Sequence, residues 1–329
     1  MEIELVDRPL GRAKKEWQML LNRCGLEPDE TTQSTVLIWD GDRLAAAGSR
    51  QDNLLKCIAV DERYQGEGLT ATLLTQLRQD AFRDGCRHLF LYTKPSNLIA
   101  FSSLFFYPVA QTGDVLLMEN QPGGIVKFLN TLPKTEISGT VGAAVMNCNP
   151  FTLGHRYLIE TAARECDHVY IFVLSEDKSR FSAADRMEMV KRGTADLLNV
   201  TVLPTGDYLI SSATFPTYFL KHRDKADAIH CQLDVEIFLR HFVPYFGITR
   251  RYVGTEPLSP ITEQYNTILG DILPSRGVEL REIPRLETGN TPISASAVRQ
   301  LLDSGSRDAL CTLLPETTYR YIEERQLWK

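Results

Sequence analysis

The chain has 329 residues, of which 43% are hydrophobic and 24% charged, a globular composition that excludes the disordered and fibrous classes. Its formal net charge of −6 argues against non-specific nucleic-acid binding, because that function needs a surplus of Lys and Arg. No apolar run reaches the roughly 20 residues of a membrane-spanning helix, and residues 1–5 do not resemble a signal peptide. The seven cysteines are scattered singly and form no C-x-x-C pair, so we expect a reduced protein in the cytoplasm. The length favours two domains.

The first third of the chain is rich in predicted strands. We expect strands at 35–39, 44–49 and 54–60, with a hairpin turn at Gly41 and Asp42. Apolar residues then recur at helical spacing over 69–82, which predicts a helix. A strand at 88–92, a short helix at 97–104 and a strand at 114–118 complete this part. We place a first domain at 1–122 and a linker at 123–138.

In the remainder, from 139 to 329, predicted strands and helices alternate. Predicted strands at 140–146, 168–174 and 200–204 alternate with predicted helices at 158–166 and 184–197. Strand 140–146 consists of small and mostly apolar residues, as in strands that are buried on both faces. This alternation predicts an α/β domain with a doubly wound parallel sheet.

The segment that follows strand 140–146 reads Asn-Pro-Phe-Thr-Leu-Gly-His over residues 149–155. Ligands of parallel sheets bind at the carboxyl ends of strands, and a helix that begins there offers free backbone N–H groups to phosphate. Gly154 has no Cβ to hold a nucleotide away from the backbone. Thr152 and His155 lie three residues apart, and each offers a donor for phosphate oxygens. We therefore predict a nucleotide site here.

The Thr-x-Gly-His pattern resembles the signature of the nucleotidyltransferase superfamily, which includes phosphopantetheine adenylyltransferase. The superfamily's second motif, I-S-x-[ST]-x-[VI]-R, is matched at residues 293–299. We expect Ser294 and Ser296 to cap the following helix, and Arg299 to reach the same phosphates.

Two further segments resemble the superfamily. Residues 175–186 match the part where a lysine and an arginine approach the triphosphate, here Lys178 and Arg186. Residues 253–257, with Gly254 and Glu256, match the turn that binds the ribose or adenine. Over 140 to about 325 the sequence looks like the ligases that acetylate the acyl carrier subunit of citrate lyase, a family that also carries an N-terminal GNAT-like domain.

That resemblance implies a Rossmann-like nucleotidyltransferase domain and a two-step reaction. Acetate and ATP would give acetyl-adenylate and pyrophosphate, and the CoA-derived thiol of the carrier (gamma) subunit would then take the acetyl group. The implied Mg²⁺ arrives with ATP, and no residue is assigned as a metal ligand. The residues with expected electrostatic roles in catalysis are Thr152, His155, Lys178, Arg186 and Arg299. Those expected to bind the nucleotide are Asn149, Phe151, Gly154, Gly254, Glu256, Ser294 and Ser296.

The first domain contains one sequence motif of its own, which is less specific than those of the second domain. Residues 60–70 follow a strand and open a helix, and they resemble the pyrophosphate loop of GNAT acetyltransferases, with Gln65, Gly66 and Gly68 as the matching residues. Thr70 stands where Gly or Ala is usual. The resemblance leaves acetyl-CoA, a CoA-like arm or no ligand as possibilities.

Two other functions remain open from the sequence. One is an adenylyltransferase that acts on a phosphorylated acceptor such as phosphopantetheine, with the same motifs. The other is a CoA-sensing binding module with a degenerate catalytic half.

Overall fold

The computed structural model describes residues 1–177, 179–210, 215–220, 225–256, 260–289 and 291–328. These residues form two compact units, Met1–Lys127 with Pro216–Leu233, and Phe128–Phe215 with Asp234–Lys329. The domain limits drawn from the sequence stay a prediction. Within the described residues, no helix is both long and apolar enough to cross a membrane.

The first unit is built on a seven-stranded sheet of order β1-β2-β3-β4-β5-β7-β6. Its strands are β1 (Glu2–Val6), β2 (Ser34–Asp40), β3 (Arg43–Gln51), β4 (Leu54–Val60), β5 (Phe90–Thr93), β6 (Tyr107–Gln111) and β7 (Leu116–Glu119). Its helices are α1 (Gly11–Arg23), α2 (Leu69–Arg83) and α3 (Leu98–Ser102), and α4 (Gly124–Thr131) follows them in the chain. Neighbouring strands are antiparallel except for β4 and β5.

Helix α2 forms where the apolar spacing predicts it. Its buried stripe runs from Leu69 through Leu73 and Leu77 to Ala81 and packs into one core with the apolar face of the sheet. Gly48 of β3 makes this approach possible, since a Cβ there would lie 3.1 Å from Leu77 Cδ1.

The second unit is built on five parallel strands, β8 (Val141–Met146), β9 (His168–Val173), β10 (Val200–Pro204), β11 (Arg250–Gly254) and β12 (Glu279–Ile283). A small hairpin pairs β13 (Glu287–Thr288) with β14 (Thr291–Pro292). The helices that follow β8 in the chain are α5 (Leu153–Glu165), α6 (Ala183–Gly193), α7 (Ala226–Ile237), α8 (Val243–Phe246), α9 (Pro260–Ile272), α10 (Ala295–Ser304) and α11 (Glu316–Glu324), with a π-helical turn at Phe238–Phe242. The part of α7 up to Leu233 belongs to the first unit.

The parallel sheet is covered on both faces, as the alternation predicts. On β9, Ile171 packs into the core that holds helices α5 and α6, whereas Phe172 contacts Phe242 and Phe246 on the other face. The strand order is β10-β9-β8-β11-β12. Strands β9 and β10 are added in sequence on one side of β8, and β11 and β12 are added on its other side. In such sheets ligands bind beyond the carboxyl ends of the two strands where the order reverses. Those strands are β8 and β11.

Candidate active site

The predicted nucleotide segment lies at this switch point. Strand β8 ends at Met146, the segment 147–152 follows, and α5 begins at Leu153, five residues earlier than the predicted 158. The early start has a local cause, because Thr152 caps the helix. The first backbone N–H groups of α5 therefore lie beside the carboxyl end of the central strand, the arrangement that attracts phosphate.

Thr152 and His155 form a capping box. The Thr152 hydroxyl accepts a hydrogen bond from the backbone N–H of His155 at 3.4 Å, and the backbone N–H of Thr152 donates to Nδ1 of His155 at 3.0 Å. Because Nδ1 accepts, the proton of the neutral ring resides on Nε2. Thr152 itself is buried, with its hydroxyl 2.9 Å from the same Nδ1. Thr152 thus orients His155, and its hydroxyl is engaged inside the protein.

The imidazole of His155 is held neutral. Burial lowers its pKa to about 4, and the positive charge of Arg285 acts in the same direction. The ring lies nearly parallel to that of Phe151, at 17° and with centroids 5.9 Å apart. Phe151 is fully buried and fixes the ring plane from that side. At neutral pH, His155 therefore presents an uncharged Nε2–H donor.

The second motif packs directly against the first. A Cβ on Gly154 would lie 3.3 Å from the carbonyl oxygen of Ile293, so the missing side chain lets the two segments approach. Arg299 Nη1 donates to the carbonyl oxygen of Asn149 at 2.6 Å. Residues about 150 positions apart in sequence thus share one site.

The two serines of the second motif have different roles. Ser294 caps α10, as expected, by accepting from the backbone N–H of Ala297 at 3.1 Å. Ser296 does not cap the helix, because it already lies in the first turn of α10, where its hydroxyl accepts from Arg299 Nη2 at 3.0 Å. The prediction that both serines cap the helix was therefore wrong for Ser296, which instead holds the side chain of Arg299 in place.

A second arginine, Arg180, lies next to Arg299. Burial lowers the pKa of Arg299, and the charge of Arg180 lowers it further. Arg180 forms an ion pair with Asp303, and its Nη2 donates to the carbonyl oxygen of Trp328 at 3.1 Å. Within the described ranges, its buried Nε has no hydrogen-bond partner. Two neighbouring guanidinium groups beside a helix N-terminus favour an anion.

Arg186, expected to approach the phosphates, is completely buried. It donates to the carbonyl oxygens of Asn147 at 2.9 Å and Phe181 at 3.2 Å, to the side chain of Asn147 at 2.7 Å, and to the carbonyl oxygen of Glu176. Burial lowers the pKa of this guanidinium. Arg186 thereby ties the segment after β8 to the segment after β9, and Asn149 reinforces the tie by accepting from the N–H of Phe181 at 3.2 Å.

Gly254 and Glu256 lie at the carboxyl end of β11. The carbonyl oxygen of Gly254 accepts from Asn266 Nδ2 at 2.9 Å, and Glu256, whose side chain is 8% exposed, pairs with Arg285. Arg285 also donates to the carbonyl oxygen of Thr255 at 2.9 Å. Sequence reasoning missed Arg285, although it follows the carboxyl end of β12 as Thr255 follows that of β11.

The other predicted residues are Lys178 and those of the first unit. Lys178 and Pro257 lie outside the described residues. In the first unit, Gln65, Gly66 and Gly68 form an exposed loop between β4 and α2, and the two glycines have φ values of 89° and 75° that side chains disfavour. Among the described residues, no three or more His, Cys, Asp or Glu side chains converge as metal ligands would.

Two family models match the chain. Residues 141–322 match the citrate lyase ligase C-terminal domain, and residues 3–104 match the acetyltransferase (GNAT) family. The predicted fold class is thereby confirmed for both parts. Likenesses to solved structures are partial. An acyl-CoA N-acyltransferase from Pseudomonas aeruginosa is 14% identical, with a TM-score of 0.31, over 36% of this chain and 100% of that one.

Two curated relatives match over nearly their full length, and a third matches in part. A citrate (pro-3S)-lyase ligase from Klebsiella pneumoniae is 43% identical over 97% of this chain and 94% of its own length. The protein of the same name from Escherichia coli is 37% identical over 97% of this chain and 92% of its own length. A phosphopantetheine adenylyltransferase from Symbiobacterium thermophilum is 36% identical, but over 20% of this chain and 41% of its own length. The chain belongs to the citrate lyase ligase family of enzymes.

Proposed function

We propose that this enzyme activates acetate with ATP and acetylates the thiol of the citrate lyase acyl carrier subunit. The observation that carries the proposal is the meeting of two motifs at the end of β8, where Arg299 reaches Asn149 and Gly154 lies against Ile293. The names of the full-length relatives support the choice of substrate. The adenylyltransferase alternative is not favoured, because its relative matches 20% of the chain.

In this proposal the phosphates of ATP lie at the N-terminus of α5. The helix contributes backbone N–H groups, His155 contributes its neutral Nε2–H, and Arg299 with Arg180 contributes positive charge. A neutral donor suits this position because it forms a hydrogen bond to a phosphate oxygen without proton loss or gain. Gly254 and Glu256, at the neighbouring strand end, would contact the nucleoside.

The first step forms a bond between a carboxylate oxygen of acetate and the α-phosphorus, while the bond to the pyrophosphate oxygen breaks. No residue has to remove a proton, because acetate is already ionised near pH 7. The protein's contribution is electrostatic, since negative charge shifts to the leaving oxygens and preorganised donors stabilise it there. Arg299, His155 and Lys178 have this role in the proposal, and Mg²⁺ would arrive bound to the phosphate oxygens of ATP.

The second step transfers the acetyl group. The carrier's thiolate forms a C–S bond at the acetyl carbon, the C–O bond to AMP breaks, and the thiol proton is released to solvent. Thr152, Arg186, Ser294 and Ser296 act through other groups and are positioning residues. We further propose a cytoplasmic location, which the free cysteines among the described residues support.

The test uses the full-length protein with ATP, Mg²⁺, acetate and the carrier subunit with its prosthetic group. We expect pyrophosphate release that depends on acetate, AMP as product, and a gain of one acetyl group in the mass of the carrier. A carrier without its prosthetic group is the matched control and should gain nothing. Pyrophosphate release with a phosphorylated acceptor and no acetate would contradict the proposal.

A further inference from the structure

The two strands at the switch point, β8 and β11, separate toward their carboxyl ends. Both lie wholly within the described residues, and the last pair that they form is Ala143 with Arg251. Their outer neighbours stay paired for longer, since β8 pairs with β9 as far as Met146 and β11 pairs with β12 as far as Gly254. A crevice therefore opens in the middle of the sheet between Ala143 and Met146, a length of about 10 Å.

Two valines line this crevice on the face of the sheet opposite α5. Val145 and Val253 each follow the last paired residue of their strand by two positions, so both point to the face on which Phe172 lies. Side chains of a sheet that is covered on both faces are normally buried, as Val141 is on the same face of β8. Val145 and Val253 are instead partly exposed. Solvent therefore reaches the crevice at their level.

The crevice has a floor. Arg251 precedes Val253 by two positions on the same face and is 2% exposed, and its guanidinium lies over the ring of Phe238, 4.4 Å from the centroid. The rings of Phe238 and Phe242 contact Phe172 edge-to-face, with centroids 6.4 Å and 5.2 Å from it. These side chains occupy the face of the sheet below and beside the valines. The open part of the crevice is thereby confined to the level of the valines and is short.

The upper end of the crevice meets the proposed phosphate site. Segment 147–152, which leads into α5, follows directly after β8. A ligand between the valines would thus have one end toward the N–H groups of α5 and the other in apolar surroundings. Ligand sites at the switch points of parallel sheets commonly combine apolar walls with a few polar groups in this way. For acetate, the carboxylate would face ATP and the methyl group would lie between Val145 and Val253.

We propose that the crevice between β8 and β11 is the acyl site of the enzyme. In this site Val145 and Val253 select a short carboxylic acid through the room that they leave for its alkyl end. The inference rests on the proposed function, because it takes acetate as the acid that is activated. It adds to that function the residues that distinguish acetate from longer acids.

The test compares two acids in the pyrophosphate-release assay with the full-length protein and Val145→Ala. Alanine leaves room for one more methylene group, which in an apolar site changes kcat/KM by about tenfold or more. We expect the ratio of kcat/KM for propionate to kcat/KM for acetate to rise by at least about tenfold. Val253→Ala, on the other wall, should raise the ratio as well. Val145→Ile fills the crevice further and should lower kcat/KM for acetate.

Val141→Ala is the matched control. It makes the same change on the same face of β8, but at a residue that is 3% exposed and lies at the amino end of the strand. It should lower stability and leave the ratio unchanged.

Three results would overturn the acyl site while the wild type still releases pyrophosphate with acetate. They are an unchanged ratio in Val145→Ala, an equal rise in Val141→Ala, and an effect of Val145→Ala confined to the KM for the carrier subunit. The last would place the carrier's prosthetic group in the crevice instead. A wild-type protein that releases no pyrophosphate with either acid would contradict the proposed function, and this inference with it.

Discussion

His155 takes part in the capping box of α5, and we propose that it also donates to the phosphates of ATP; a single substitution tests both roles. His155→Ala removes the Nε2–H donor, and loss of one preorganised donor should cost about 3 kcal/mol of transition-state stabilisation, or roughly a hundredfold in rate. It also removes the acceptor for the Thr152 N–H in the capping box, which should lower the free energy of unfolding by about 1 kcal/mol. The rate is measured as acetate-dependent pyrophosphate release at saturating ATP, and stability is measured by urea denaturation.

Thr152→Ala is the matched comparison. It loses the other half of the capping box and should be destabilised by a similar amount, but it keeps the imidazole donor. Its rate should therefore fall much less than that of His155→Ala. Equal rate losses in the two variants would mean that His155 acts only through the cap. A rate for His155→Ala within about threefold of the wild type would refute the donor role altogether.

The remaining predictions concern pH, the buried arginine and the second motif. Because the pKa of His155 falls from 6.5 in the unfolded chain to about 4 when folded, stability should be full above pH 6.5 and decline as pH falls toward 4, by up to about 3 kcal/mol. The difference in urea midpoints between wild type and His155→Ala should follow this window, and a pH-independent difference would contradict it. Arg186→Met leaves carbonyl groups unpaired and should lower the free energy of unfolding, measured by urea denaturation, by on the order of 3 kcal/mol. A decrease of less than about 0.5 kcal/mol would contradict the role of Arg186 in joining the segments after β8 and β9. Ser294→Ala removes the cap of α10 and should mainly lower the free energy of unfolding, by about 1 kcal/mol. Ser296→Ala removes the hydrogen bond that holds Arg299 and should mainly lower the rate of pyrophosphate release. The reverse pattern would contradict these roles.

Sequence periodicity predicted the elements whose apolar pattern is strong. Strands β8, β9 and β10 and helix α2 fall where alternation and helical spacing place them. Helix α1 was missed because it has no side-chain cap and buries only Trp17, Leu20 and Leu21. Strand β6 was missed because Pro108 interrupts its pattern and its two ends are not buried.

The site was predictable to the level of motifs and not of contacts. The segment 149–155 and the motif 293–299 are recognisable from the sequence alone, and the position of the first at the carboxyl end of a parallel strand is why we predicted that it binds phosphate. The sequence does not tell a buried arginine from one free to bind a ligand, so Arg186 was assigned to the phosphates. The placement of segment 216–233 in the first unit depends on long-range contacts such as that of Tyr218 with Tyr92, which no local pattern encodes.

The contact of Gly154 with Ile293 gives a way to test whether the two motifs must meet. Gly154 lies in the first turn of α5 without a positive φ, so alanine is compatible with its backbone and should stabilise the helix slightly. The added Cβ, 3.3 Å from the carbonyl oxygen of Ile293, should push the second motif and Arg299 outward by a few tenths of an ångström. Because a misplacement of 1 Å can cost a hundredfold, we expect a rate loss of roughly tenfold without loss of stability. Gly270→Ala, in α9, is the control. Its added Cβ would lie 3.8 Å from Leu280 Cδ2, an ordinary contact, so this variant should keep the wild-type rate. If Gly154→Ala kept it as well, close packing of the two motifs would not be needed for catalysis.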